Sequence, residues 1–163
     1  MNPSPTAFTP EERLISLKAA ALSGTTAVAT ALALLGLHSV LRIPSIAGSL
    51  LTDNVIQVIS LAVALVSGAL FGIVYRYTIR HDGNPQLAAG ATAAFGLVRG
   101  LAQVEAAIAQ PLWQLALALG ESMLLFAAVA GVLRYAMQQG WIQPFGRLDQ
   151  EDEPKHPQEA SDR

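Results

Sequence analysis

Four side chains could do chemistry deep inside otherwise apolar stretches of this chain: Arg99, Gln103, Glu105 and Glu121. A charge held in a bilayer costs several kcal/mol unless it is paired, so each is a functional candidate by default. Arg99 lies slightly past the middle of one apolar segment, and Glu121 slightly short of the middle of the next. If those segments run antiparallel, the two charges reach nearly the same depth, and an Arg99–Glu121 pair is expected. Gln103 stands one helical turn from Arg99 on the same face and would complete the network. Glu105 falls on a different face, nearer the outer surface, within reach of water or Arg42.

Such a network has four readings. It is a buried ion pair that only fixes helix register, an ion or proton path, a contact with a partner in a larger complex, or a pigment site. In the last, a glutamate neutralised by arginine ligates a magnesium tetrapyrrole. The usual light-harvesting spacing, a Glu with an Asn or His and an Arg close behind, is absent here.

Other chemistries lack their residues. His38 is expected at the outer end of a span as an interfacial side chain, His81 in an inner loop and His156 in the tail, so no two can meet within the membrane. A bis-histidine haem is therefore not expected, and with no cysteine in the chain thiolate clusters are excluded. Ser67 and Ser122 have no histidine at their depth, and no phosphate-binding loop or nucleophile elbow occurs. No catalytic residue, metal or cofactor is expected, and the chain does not read as an enzyme.

The elements that must position these side chains follow from composition. Of 163 residues, 52% are apolar and 13% charged, about half the charge of an ordinary soluble domain. That balance excludes a disordered chain, a nucleic-acid binder and a disulfide-stapled module. About 20 apolar residues cross a hydrocarbon layer ~30 Å thick. Four segments qualify: Ala19 to about Leu37, about Val55 to Tyr75, Gln86 to Ala109, and Leu112 to about Tyr135. The expected fold is all-α, an integral membrane bundle of four transmembrane helices.

Boundary signals agree. Thr9-Pro10-Glu11-Glu12 reads as a cap, a first-turn proline and a capping-box glutamate, followed by an interfacial turn at Leu14, Ile15 and Leu17. Asn84-Pro85 and Gln110-Pro111 repeat the cap-and-proline pattern, and Asp53 is the expected cap of the second span. With only Gln110 and Pro111 between them, the last two spans form a tight hairpin. A cleaved signal peptide fits poorly, because the first apolar run is too long and Glu11 and Glu12 spoil a positive leader.

Orientation follows the lysine and arginine count. A cytoplasmic N-terminus places Arg13, Lys18, Arg76, Arg80, Arg134 and Arg147 inside and only Arg42 outside. Tyr75, Tyr77 and Tyr135 then make an inner aromatic belt with Trp141 just beyond, and Trp113 marks the outer interface. Arg76 and Arg80 present a basic inner loop. The tail from Asp149 carries half of the chain's twelve acids and reads as disordered. Residues 1–18 are a cytoplasmic segment, 19–140 the membrane domain and 141–163 the acidic cytoplasmic tail.

Small residues form a second pattern. Gly68 and Gly72 are four apart, as are Gly96 and Gly100, and Ala116, Gly120, Ala127 and Gly131 follow in the fourth span. Such faces let helix backbones approach closely, either within the chain or against another membrane subunit. The endings Gly72-Ile73-Val74-Tyr75-Arg76-Tyr77 and Gly131-Val132-Leu133-Arg134-Tyr135 hint at a duplicated hairpin, although an Arg-Tyr anchor arising twice explains them equally well.

The strings Glu12-Arg13-Leu14, Tyr75-Arg76-Tyr77, Asn84-Pro85-Gln86-Leu87 and Ala94-Phe95-Gly96-Leu97-Val98-Arg99-Gly100-Leu101 resemble a four-span membrane family of cyanobacteria with relatives in plastids. The likeness covers about residues 11 to 140. It implies a thylakoid or plasma membrane and an accessory role around photosynthetic complexes, and it supplies no catalytic residues. The expected function is an accessory or assembly protein that packs on a larger membrane complex or a second copy through its glycine faces. The alternative is a small transporter or channel lined by Arg99, Gln103 and Glu121. The lipid bilayer is the expected surrounding in both.

Overall fold

The computed structural model describes residues 10–41, 54–79 and 85–142. Four helices occupy them: α1 (Pro10–Leu41), α2 (Asn54–Thr78), α3 (Pro85–Ala106) and α4 (Leu112–Gln138). Each is long and apolar enough to cross a membrane. Even the shortest, α3 with 22 residues, spans about 33 Å at 1.5 Å per residue. The protein is an integral membrane bundle of four transmembrane helices. Thr9, Asp53 and Asn84 as caps, Arg42, the Arg80 half of the basic loop and the acidic tail lie outside the described residues.

α1 packs mainly on α2, and α3 mainly on α4. Contacts of α4 with α1 and of α2 with α3 join the two hairpins. Lipid tails are as apolar as leucine, so the helices gain little by burying leucine and must associate through close packing. The sequence supplies small residues where that is needed. Ala19, Ser23 and Ala27 of α1 face Gly72 and Gly68 of α2, and Gly24 faces Leu65. Gly96 and Gly100 of α3 lie against Met123 and Leu119 of α4. The large side chains Val63, Val66, Leu70, Val98, Leu101 and Leu124 point outward, as a lipid-facing surface requires.

The two ends of the bundle differ. Towards the start of α1, Phe71, Phe95 and Phe126 meet with ring centroids 5.3–5.6 Å apart, at tilted and edge-on angles that suit aromatic quadrupoles. Tyr75 packs at a tilt on Phe71 and is buried with Leu133, Val129 and Ala136. Tyr75 therefore belongs to the core and not to an aromatic belt. Tyr135 and Trp141 remain exposed near the same end, and Trp113 near the opposite one.

Three boundaries differ from the sequence expectation. α3 ends at Ala106, where Ala107 N–H bonds the Val104 carbonyl at 3.2 Å and Gln110 N–H the Ala107 carbonyl at 2.8 Å. The hairpin turn is therefore residues 107–111, longer than the two residues expected. Pro111, and not Gln110, is the residue that caps α4, and it makes no side-chain capping bond. Gln114 and Leu115 N–H groups bond the Pro111 carbonyl instead. At the far end α4 closes in a Schellman motif. Gly140 takes φ 74°, its N–H bonds Met137, and the Trp141 N–H bonds Ala136.

Arg76 is 1% exposed, which corrects its assignment to an exposed basic loop. Its Nη1 donates to the Glu12 carbonyl at 3.1 Å and to the Ser16 hydroxyl. This joins the last turn of α2 to the first turns of α1.

A simple control separates packed glycines from open ones. A Cβ at Gly120 or Gly131 meets nothing within 4 Å, so alanine at either position should change stability by less than about 0.5 kcal/mol. Thermal unfolding in detergent checks this. A clear drop at either would mean that these residues also pack within the chain.

Candidate functional site

At the end where α1 and α3 finish and α2 and α4 begin, the four helices line a partly open cavity of about 230 Å³. Its walls alternate in character. Ala31, Leu34 and Leu35 of α1, Leu61 of α2 and Ala118 and Leu125 of α4 are apolar. Ala106 of α3 is apolar too, and the remaining lining is polar: His38 from α1, Gln57 and Ser60 from α2, Arg99 and Gln103 from α3, and Glu121 and Ser122 from α4. Leu125 also belongs to the packed core, so the cavity floor rests on the aromatic cluster.

Arg99, Gln103 and Glu121 thus come together on one cavity, while Glu105 is exposed on another face of α3. The pairing is different from the one expected. Glu121 Oε1 lies 3.1 Å from His38 Nε2, with side chains 19% and 11% exposed. Among the described residues, no carboxylate comes within ion-pair distance of Arg99. The reason is geometric. His38, placed by sequence at the membrane surface, sits on the α1 stripe that contains Ala31, Leu34 and Leu35, and the stripe faces α4. This corrects the interfacial assignment of His38.

Hydrogen bonding in the cavity is incomplete. The Ser122 hydroxyl donates to Gln103 Oε1 at 2.9 Å. His38 Nδ1 and Glu121 Oε1 are buried without a hydrogen-bond partner, the latter because its approach to His38 Nε2 lacks the alignment a hydrogen bond needs. A buried polar atom left unsatisfied costs about 1–3 kcal/mol, so this cavity suits a polar occupant. Among the described residues, no group of three metal-ligating side chains is gathered.

Sequence reasoning missed His38, Gln57, Ser60 and Ser122 as cavity residues. The signal was available for the α2 pair. Gln57 and Ser60 are three apart in an apolar segment, and polar side chains facing a bundle interior deserve the scrutiny given to charges. The glycines expected to serve a partner divide into two groups. Gly68, Gly72, Gly96 and Gly100 are filled from within the chain, whereas Gly120 and Gly131 are open.

No family model, curated protein or solved structure matches this chain.

Proposed function

We propose that this membrane protein binds a small polar solute in the four-helix cavity and carries it across the bilayer. The observation that supports the reading is the gathering of polar groups from all four helices around about 230 Å³ of space. A register-fixing ion pair needs only two side chains and no such volume. The aromatic cluster beneath the cavity would close the path on that side, and transport would require α1–α2 and α3–α4 to part there.

The test is solute flux in proteoliposomes with the Glu121→Gln variant. Loss of flux of about tenfold or more, equivalent to about 1.4 kcal/mol, is expected at an unchanged unfolding midpoint. A variant that is merely less stable, with flux per folded molecule intact, would assign Glu121 a structural role.

The second reading is the accessory protein, in a thylakoid or plasma membrane as the cyanobacterial and plastid resemblance implies. It draws support from Ala116, Gly120, Ala127 and Gly131, which are exposed along α4. This reading expects co-migration with a larger complex in mild detergent, and migration as a free monomer counts against it. Both readings place the two termini in the cytoplasm. Single cysteines introduced at Ser45 and Ser161 should then label from opposite sides of the membrane, and labelling from one side would refute that threading.

A further inference from the structure

We propose that the solute is a small organic anion, a monocarboxylate with a compact apolar body, anchored on Arg99. This rests on the solute-binding reading above and specifies its ligand.

The charges on the lining decide the class. Arg99, His38 and Glu121 are the ionisable groups there, and α2 contributes only Gln57 and Ser60. Glu121 is engaged with His38 at 3.1 Å. Among the described residues no carboxylate lies within ion-pair distance of Arg99, and a charge without a close partner inside a bilayer is expensive. A carboxylate is the natural counter-group, because the guanidinium fork matches its two oxygens.

Size and wall chemistry narrow the choice further. An apolar cavity of about 150 Å³ takes benzene, so about 230 Å³ admits a ring or short chain together with a carboxylate. A halide would leave most of the space empty. The apolar walls, Leu34, Leu35 and Leu61 among them, suit the body of the ligand, and Gln57 adds a polar donor to the lining.

The absence of native cysteine permits a direct test. Ser122 lines the cavity and is 2% exposed, so a cysteine there is reached through the cavity and not from lipid. The full chain carrying Ser122→Cys, purified in mild detergent, is treated with the neutral reagent methyl methanethiosulfonate. The reaction is run alone and with benzoate, benzamide or benzylamine, which match in size and differ in charge. Benzoate is expected to slow modification at least tenfold more effectively than benzamide or benzylamine. Adding Arg99→Gln should abolish that protection, and Arg99→Lys should retain part of it, which covers the case in which the glutamine variant fails to fold. Protection by benzamide or benzylamine equal to that by benzoate overturns the anion assignment and leaves the solute cavity standing. Modification unaffected by any of the three also overturns the assignment. A cysteine that never reacts means that solutes do not enter, and overturns both this inference and the function it rests on.

Discussion

Gly72→Ala should lower the stability of the bundle by about 3 kcal/mol, at the top of the range for overpacked cores. A Cβ at Gly72 would come 2.0 Å from the Ser23 hydroxyl oxygen, 2.7 Å from the Ser23 Cβ and 2.7 Å from the Ala19 carbonyl oxygen. The hydroxyl cannot swing aside freely, because it already donates to the Ala19 carbonyl at 2.6 Å and approaches the Ala20 carbonyl at 3.1 Å. Relief must come from moving α1 away from α2, which also opens the Gly68–Ala27 contact one turn along. Between these two helices close approach is the main attraction, since apolar burial gains nothing over lipid. Titration from dodecyl maltoside into sodium dodecyl sulfate, followed by circular dichroism, measures the loss. Combining Gly72→Ala with Ser23→Gly should recover only part, because the Ala19 carbonyl belongs to the backbone and stays in place. Full recovery would show that the hydroxyl was the whole obstacle. No loss at all would mean that α1 and α2 do not approach as closely as described.

The sequence displayed the helices plainly and their contacts poorly. Uncharged runs of about 20 residues have one low-energy solution in a bilayer, because every backbone polar group must be satisfied within its own segment. Four such runs therefore meant four helices. The ends were harder to read. Gln110-Pro111 looked like a cap and first turn, but proline at the capping position satisfies two amides with its own carbonyl. Gly140 was a stop signal that becomes legible only with the following Ile142, whose burial on the core gives the reversed chain a reason to turn.

Which residues share a site depends on helix rotation, and rotation is set by packing that one segment does not reveal. Arg99, Gln103 and Glu121 were marked by their cost in a membrane, and they do line one cavity. Histidine at a helix end has an inexpensive alternative at the interface, so His38 carried no such mark, although it is the side chain that meets Glu121. Ser122 could satisfy itself within its own helix, and its bond to Gln103 follows only from the close approach at Gly100, where a Cβ would come 3.4 Å from the Ser122 Cβ. The small residues of α3 thus help to shape the site as well as the packing. Arg76 shows the same limit from the other side. An arginine at the end of a span reads as a topology label, and the sequence offers nothing to separate one that faces water from one that ties two helices together.

That distinction is measurable. Arg76→Met should cost about 3 kcal/mol, the lower end of what breaking a buried charge contact costs. Methionine matches the apolar stem but makes neither the bond to the Glu12 carbonyl nor that to the Ser16 hydroxyl. It also removes the positive charge that attracts the Glu12 carboxylate. Glu12 is itself buried. Arg76→Lys should restore about half of the loss, since it keeps the charge on a stem that places its nitrogen differently. Glu12→Gln separates the two contributions, because it preserves the backbone carbonyl and removes only the carboxylate charge. If the backbone bond dominates, Glu12→Gln costs less than about 1 kcal/mol, the usual net worth of a single interaction, while Arg76→Met retains its full effect. Equal losses from Glu12→Gln and Arg76→Met would instead make the carboxylate the main partner. If Arg76→Met unfolds at the same detergent fraction as the native chain, Arg76 is only a topology label and the tie between α1 and α2 rests on the glycine contacts alone.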